Sequence, residues 1–462
     1  MVFSGIPFLY YFLPLTLVLY FLVPKRLKNG YLLLMSLLFY AWGEPRYVVL
    51  MIAAVAVFFG LGLAVEKAAT KLWKRIWLIG AVLVGAAMLG VFKYADFAVE
   101  NWNRLTGMSV PLLKLALPIG ISFYTFQCVS YVIDVYRGDV KAQRNPVDFG
   151  TYVTLFPQLI AGPIVRYVDV ERDLQNRRTT ADDFARGLFR FLVGLGKKVL
   201  IANPLWELTD IFRSAAEPSV LFYWMYAIAF ALHIYFDFSG YSDMAIGIGR
   251  ILGFHFPENF DHPYVSASVT EFWRRWHMTL GSWFRDYVYI PLGGNRVGKL
   301  RWVVNILAVW ALTGLWHGAA WNFVVWGLMF AALLLLEKWI PGIKKLPAAL
   351  RHGYVLLLIV VSFVIFNANN MAQAGQDLMG MFGALDIPLV SAESWYYLRS
   401  NALLLVAACV GATPLVRKCA LRIENLGSAA EVLRFLVAMI ILVVSTAYLV
   451  DGSFNPFLYF RF

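Results

Sequence analysis

The chain contains a long apolar run at residues 302–336, WVVNILAVWALTGLWHGAAWNFVVWGLMFAALLLL, in which His317 is the only ionisable side chain. A membrane-spanning helix needs about 20 predominantly apolar residues. This stretch is too long for one ordinary span and too short for two spans with a generous loop between them. We therefore predict that it enters the membrane, breaks near Gly318 and returns.

The remainder of the chain has the same apolar character. Of its 462 residues, 60% are hydrophobic and 15% are charged, whereas a soluble protein has roughly 45–50% apolar and about 25% charged residues. The apolar residues recur in blocks that match the thickness of the hydrocarbon core. We predict an all-α, polytopic integral membrane protein with about 11 transmembrane helices, together with re-entrant or interfacial helices.

The net charge of +12 would suggest nucleic-acid binding in a soluble protein. Here the basic residues lie in short loops between apolar blocks, as in residues 25–28 and 67–75. Because lysine and arginine accumulate in cytoplasmic loops, membrane topology explains the charge, and the N-terminus is predicted to lie outside. Contact with membrane lipid is expected, and nucleic-acid binding is not.

Residues 369–384 are too polar to span a membrane, yet their apolar residues recur at helical spacing. This pattern is typical of an amphipathic helix that lies on the membrane surface, and by the predicted topology this is the outer surface. The helix is either a simple connector or a docking element for an extracytoplasmic partner.

His317 is the first candidate for chemistry. An ionisable side chain inside the membrane is costly unless it faces a cavity or a partner. A pKa near neutrality and two distinct ring nitrogens suit histidine to general base catalysis. The alternative is a structural histidine that bonds a backbone carbonyl at the helix break.

The second candidate cluster lies in residues 270–296 and mixes arginine with tryptophan. Thr270 could cap a helix here. Trp273 would share a face of that helix with Trp276, and Arg274 would share another with His277. The cluster is either an interfacial anchor or a cytoplasmic mouth for an anionic, phosphate-bearing donor. The arginines of such a mouth would be Arg274, Arg275 and Arg285.

The third candidate cluster, residues 235–243, places two carboxylates at the end of an apolar block. Ser242 and Asp243 could cap a helix that begins at Met244. Asp237 has no such role, and it could pair with an arginine or orient a histidine. The two carboxylates do not share a helical face, so they are not predicted to form a catalytic pair. No metal-ligand pattern is present, and no metal site is predicted.

These clusters occur together with further motifs that span nearly the whole chain. The additional motifs are FYAW at 39–42, LPIGISFY at 117–124, FPQLIAGP at 156–163, LWHG at 315–318 and NPFLYFRF at 455–462. In this order they resemble the membrane-bound O-acyltransferase (MBOAT) family, in particular its bacterial branch that acetylates exported polysaccharides such as alginate. One departure is visible at 367–370, where Asn-Ala-Asn-Asn replaces the arginine and acidic residue that relatives often carry.

The resemblance implies a ring of helices around a central tunnel, built from residues 1–462 as a single domain. The catalytic core would be residues 110–340, followed by C-terminal helices in 341–462. His317 would be the catalytic histidine and His277 a second functional position. Acetyl-CoA would be the cytoplasmic donor, with no tightly bound cofactor, and an extracytoplasmic SGNH-type partner would pass the acetyl group to the polymer. The expected location is the inner or plasma membrane of a bacterium.

In the mechanism that follows from this resemblance, His317 deprotonates the acceptor hydroxyl as general base. His277 positions the thioester or stabilises developing charge as a hydrogen-bond donor. Further predicted substrate-binding residues attract the phosphates of CoA or shape the pocket: Arg274, Arg275, Arg285, Trp316, Trp321, Asn322, Asp237 and Asp243.

The acceptor polymer stays open at this point, with alginate-like polysaccharides, cellulose and peptidoglycan as candidates. An alternative is D-alanyl transfer to teichoic acid from a carrier-protein thioester, although the extended C-terminal region after residue 394 argues against it. A non-enzymatic transporter or scaffold subunit is the second alternative. A transporter would favour paired midplane charges and inverted repeats, which the sequence does not display.

Overall fold

The computed structural model describes residues 3–424, 427–452 and 457. Within these ranges all regular structure is helical, and no β-strand occurs. A chain surrounded by lipid must satisfy its backbone hydrogen bonds internally, and a helix does so within one segment. The all-α prediction is confirmed. Apart from Phe457, the C-terminal motif at 455–462 lies outside the described residues.

Six helices in the described part of the chain are long and apolar enough to cross a membrane. A seventh span results if Ala402–Gly411 and Leu415–Ile423, which meet at 69°, form one broken span. These helices are those of a multi-pass membrane protein. The larger number of spans predicted from the sequence, and the central tunnel, stay predictions. The six spans are Val48–Lys67, Lys71–Thr106, Val220–Ile251, Trp321–Trp339, Ala348–Asn367 and Ala429–Asp451.

The chain packs as two compact units, and the first comprises Met1–Phe191 and Ser242–Pro257. The rings of Phe3, Phe8, Phe39 and Phe156 form part of its core, with centroids 4.7 to 6.4 Å apart. Its helices are α1 (Leu13–Leu22), α2 (Lys28–Gly43), α3 (Val48–Lys67), α4 (Lys71–Leu89), α5 (Ala95–Thr106), α6 (Ile121–Arg137), α7 (Pro146–Thr154), α8 (Phe156–Leu159), α9 (Tyr167–Asn176) and most of α10 (Ala181–Gly196).

The second unit comprises Leu192–Tyr241 and Glu258–Phe462, and both candidate histidines belong to it. The predicted single domain, with its core over residues 110–340, stays a prediction. The helices of this unit are α11 (Asn203–Arg213), the larger part of α12 (Val220–Ile251), α13 (Val269–Arg275), α14 (Met278–Phe284), α15 (Lys299–His317), α16 (Trp321–Trp339), α17 (Ala348–Asn367), α18 (Met371–Met381), α19 (Ala392–Ser400), α20 (Ala402–Gly411), α21 (Leu415–Glu424) and α22 (Ser428–Asp451).

Helix α12 runs without interruption through both carboxylates of the third cluster. The prediction that Ser242 and Asp243 cap a new helix is therefore wrong. In the first unit Asp243 instead pairs sideways with Arg190 of α10, at 2.9 Å between Nη2 and Oδ1. Because this ion pair satisfies the carboxylate, the helix can continue through it. A Cβ added to Gly187 would lie 2.7 Å from the backbone oxygen of Gly247, so the two helices approach closely here.

Helices α15 and α16 form a tight antiparallel hairpin, joined by residues 318–320. Its close contacts depend on glycine, since a Cβ at Gly314 would collide with the backbone oxygen of Phe323. A Cβ at Gly327 would collide likewise with the backbone oxygen of Trp310. The predicted break near Gly318 is confirmed, and it leaves His317 as the last residue of α15.

The predicted amphipathic segment at 369–384 contains helix α18, which Asn370 caps by accepting a hydrogen bond from the backbone N–H of Gln373 at 2.9 Å. Asp377 on this helix is buried and forms a bidentate pair with Arg213, at 2.8 and 2.9 Å. The predicted helix is confirmed. Its place on the outer surface stays a prediction.

Candidate active site

His317 is buried at the C-terminal end of α15, with 3% of its surface exposed. Its ring lies edge-on to the rings of Trp316, Trp326 and Phe366, with centroid distances of 5.0, 5.1 and 5.3 Å. The chain turns at Gly318, directly after the histidine. The helix break thus places an ionisable ring among aromatic side chains.

His277 lies between the short helices α13 and α14 and is 1% exposed. Its backbone adopts the left-handed conformation with φ of 44°, which costs energy for a residue other than glycine and clusters at functional sites. Its Nδ1 lies 3.1 Å from Oδ1 of Asn259. Burial lowers the pKa of His277 to about 3, so the ring is neutral near pH 7.

The local structure around His277 differs from the predicted helix. Helix α13 ends at Arg275, so Trp276 and His277 lie beyond it. The predicted face-sharing of Arg274 with His277 is therefore wrong. The cap is Ser268, whose hydroxyl accepts from the backbone N–H of Glu271 at 3.0 Å, and it replaces the predicted Thr270. Serine and threonine are both good helix N-caps. The sequence pattern alone could therefore not decide between Ser268 and Thr270.

Thr270 has a different role, because it binds a carboxylate from another helix. Glu337 near the end of α16 is 4% exposed. It accepts from the backbone N–H groups of Val269 and Thr270 at 2.6 and 3.0 Å, and from the Thr270 hydroxyl at 2.9 Å. Tyr354 of α17 donates to the same carboxylate at 2.8 Å. The Glu337 carboxylate therefore connects the start of α13 to α16 and α17 through hydrogen bonds.

Trp316 brings the two candidate histidines together. The centroid of its ring lies 5.8 Å from that of His277 and 5.0 Å from that of His317. Trp316 is itself buried, with 4% of its surface exposed. Two histidines predicted separately from the sequence thus both contact one buried tryptophan ring.

A cavity of about 1100 Å³ opens beside His277. Its wall includes Trp273 and Trp310, whose rings pack edge to face at 4.7 Å. Thr313, one turn before His317 on α15, also lines it. A volume of this size is at the upper end of the range of small-molecule sites.

Cationic side chains also line this cavity, and they include residues that sequence reasoning missed. Predicted Arg274 and Arg285 are joined in the lining by Lys338 and Arg351. Among the described residues, Arg274, Lys338 and Arg351 have no carboxylate partner within salt-bridge distance. The sequence carried a signal for Lys338 and Arg351, since both lie in the basic segment between the apolar blocks of α16 and α17.

Arg275, the third predicted arginine, is already engaged. Its Nε lies 3.0 Å from Glu271 and its Nη1 lies 3.0 Å from Asp261. It does not belong to the residues that line the cavity. A role of Arg275 in donor binding stays a prediction, but its ion pairs give it a structural role.

The other predicted pocket residues lie outside the cavity wall. The Asn322 amide is 2% exposed and donates to the backbone oxygen of Ala368 at 2.9 Å, which ties α16 to the end of α17. Trp321 is 51% exposed. Asp237 pairs with Lys198 at 2.6 Å, with both side chains buried. Asp237 therefore has a lysine partner, where the sequence suggested an arginine partner or the orientation of a histidine.

Comparisons with known proteins show the family of the chain. The sequence profile of MBOAT, the membrane-bound O-acyltransferase family, matches residues 141–371, which is half of the chain. The chain is 45% identical to the probable alginate O-acetylase AlgI of Azotobacter vinelandii, over 83% of this chain and 78% of the relative.

Two other relatives bear on the activity. The chain is 32% identical to the peptidoglycan O-acetyltransferase of Helicobacter pylori, over 98% of this chain and 96% of the relative. It is 30% identical to the teichoic acid D-alanyltransferase of Bacillus subtilis, over 62% of this chain and 76% of the relative. The chain belongs to the membrane-bound O-acyltransferase family and is an acyltransferase.

Proposed function

We propose that the protein transfers an acetyl group from cytoplasmic acetyl-CoA across the membrane, for O-acetylation of an exported polysaccharide. The observation that carries this proposal is the contact of His277 and His317 with one tryptophan, beside a cavity lined with cations. A buried imidazole supplies a base, and the cations suit the phosphates of a donor.

In the proposed reaction His317 removes the proton of the acceptor hydroxyl as the oxygen attacks the thioester carbonyl. The carbon–oxygen bond forms, the carbon–sulfur bond breaks, and the imidazolium returns its proton to the thiolate, which leaves as free thiol. General base catalysis of this kind contributes about 10²–10⁴-fold. The buried aromatic surroundings of His317 exclude water, which would otherwise hydrolyse the thioester.

The donor phosphates would bind the cations of the cavity wall that lack carboxylate partners. Arg274, Lys338 and Arg351 come from three different helices or their ends and are free to pair with an anion. Arg285 lies in the same wall, although Asp286 already contacts it at 2.7 Å. This distribution favours a donor with several phosphates, such as CoA.

The acceptor is proposed from the relatives, two of which are named for acetylation of alginate and of peptidoglycan. An alginate-like polysaccharide, cellulose or peptidoglycan would receive the acetyl group outside the cell, through an SGNH-type partner. The protein would then reside in the bacterial inner membrane. D-alanyl transfer has less support, because the teichoic acid relative matches a smaller share of this chain.

The test is transfer of radiolabelled acetyl groups from acetyl-CoA by the protein in proteoliposomes, with partner and polymer supplied. His317→Ala should lower the rate by about 10²-fold or more. His255→Ala is the matched control, since this histidine is 76% exposed and lies in the first unit. A wild-type rate in His317→Ala refutes the catalytic role, and transfer only from a carrier-protein thioester refutes the donor.

A further inference from the structure

Asn259 is buried completely and holds His277 through its side-chain oxygen. This oxygen lies 2.8 Å from the hydroxyl of Thr279 and 3.3 Å from its backbone nitrogen, as well as 3.1 Å from Nδ1 of His277. The backbone oxygen of Asn259 accepts from the N–H of Met278 at 3.0 Å. One asparagine therefore holds three consecutive residues at the start of α14.

These contacts determine which ring nitrogen of His277 carries the proton. A backbone N–H can only donate, so the amide atom that faces Thr279 must be the oxygen and not the nitrogen of Asn259. Since an amide oxygen can only accept, Nδ1 of His277 must donate to it. In a neutral imidazole the other nitrogen, Nε2, then has a lone pair and no proton.

The surroundings keep the ring neutral and fix its position. The burial that lowers the pKa of His277 opposes protonation of the second nitrogen. The ring packs edge-on against Phe238 at 4.7 Å and contacts Trp316 at 5.8 Å. Its backbone is held in the left-handed conformation, so the tautomer and the ring orientation are set before substrate binds.

We infer that Asn259 is a positioning residue that holds His277 in the Nδ1–H tautomer, so that Nε2 accepts a hydrogen bond from a substrate. This inference rests on the proposed acyl transfer and replaces the hydrogen-bond donor role predicted from the sequence. A lone pair repels a developing oxyanion. The group it recognises is a polar hydrogen: an amide N–H of the donor's pantetheine arm, or the hydroxyl of the acceptor.

The first measurement needs no substrate. Solid-state NMR of the protein with ¹⁵N-labelled histidine reports which ring nitrogens are protonated, and His277→Gln identifies the signal of His277 among the six histidines. Protonation of Nδ1 alone supports the inference, and protonation of Nε2 overturns it. The result is independent of which donor the enzyme uses, so failure of acetyl-CoA as substrate would count only against the proposed function.

The second measurement separates positioning from folding. Asn259→Ala should raise KM for one substrate by about tenfold, the effect of one lost hydrogen bond of typical strength. Asn259→Asp, which still accepts from Nδ1–H, should restore most of the loss. Thr279→Val removes another donor to the same oxygen without touching His277, so its KM values should stay within about twofold of wild type.

The substrate whose KM rises identifies the partner of Nε2. A change in the donor KM alone assigns the amide N–H, and a change in the acceptor KM alone assigns the hydroxyl. Equal effects of Asn259→Ala and Thr279→Val, or unchanged KM values in folded Asn259→Ala, would overturn the inference.

Discussion

The buried ion pair between Lys198 and Asp237 allows a quantitative prediction of how much stability is lost when one of its two charges is removed. Both side chains are inaccessible, at 0% and 1% exposure, and their charged atoms lie 2.6 Å apart. Removing one partner of a buried pair leaves the other charge without compensation, which costs about 3–5 kcal/mol. We expect Asp237→Asn to destabilise the protein by this amount, because Lys198 would remain buried.

The double variant Lys198→Met/Asp237→Val removes both charges and replaces each side chain by an apolar one of comparable size. Replacing a buried pair by apolar residues is often neutral or even stabilising, so this variant should unfold within about 1 kcal/mol of wild type or above it. The matched control is Asp243→Asn, which breaks the more exposed pair with Arg190 (side chains 17% and 30% exposed). Its cost should be about 1 kcal/mol or less.

The assay is thermal unfolding of the purified variants in detergent. The reasoning is refuted if Asp237→Asn is no less stable than Asp243→Asn, or if the double variant is as unstable as Asp237→Asn. Activity then decides the role of Asp237. Retained acyl transfer in the folded double variant means that this carboxylate is structural, whereas its loss would support the substrate-binding role predicted from the sequence.

Two further predictions concern the cavity and pH. Lys338→Gln/Arg351→Gln should raise KM for an anionic donor by about tenfold with kcat unchanged. The control is Lys345→Gln, which lies outside the cavity wall, and an equal KM in the two proteins would contradict the prediction. Added salt should raise KM less in the double variant than in wild type. The pKa of His277 is about 3 in the folded protein and about 6.5 in the unfolded chain. Below pH 6.5 the unfolded state therefore binds more protons, and the free energy of unfolding decreases as the pH is lowered. Between pH 8 and pH 5 this histidine should lower the free energy of unfolding by about 2 kcal/mol. The measurement is the difference in the pH dependence of unfolding between wild type and His277→Gln. Identical pH slopes in the two proteins would show that the folded ring titrates normally.

Local sequence pattern was sufficient for features that depend on hydrophobic periodicity and length. The apolar run interrupted by His317 and Gly318 predicts two helices with a break, because it is too long for one membrane-spanning helix and a helix satisfies its backbone hydrogen bonds internally. The helical spacing of the apolar residues in 369–384 likewise predicts helix α18, whereas its place on the outer surface stays a prediction. The motifs around His277 and His317 indicate the family and therefore the class of reaction.

Other features of the site depend on contacts between residues far apart in the chain. Asn259 holds His277, Glu337 holds Thr270, and Lys198 neutralises Asp237, yet no spacing rule relates the members of these pairs. The extended backbone of Trp276 also ends α13 before the predicted face could form. Helical periodicity reports only neighbours three or four residues away.

Composition, the length of the apolar runs and the order of the motifs were thus enough to predict a helical membrane protein that transfers acyl groups. The ion pairs of the arginines and the contact of Asn259 with His277 could be seen only in the tertiary structure. The physical reason is that a hydrogen bond or ion pair depends on the positions of two side chains in space. Those positions exist only after the helices have packed.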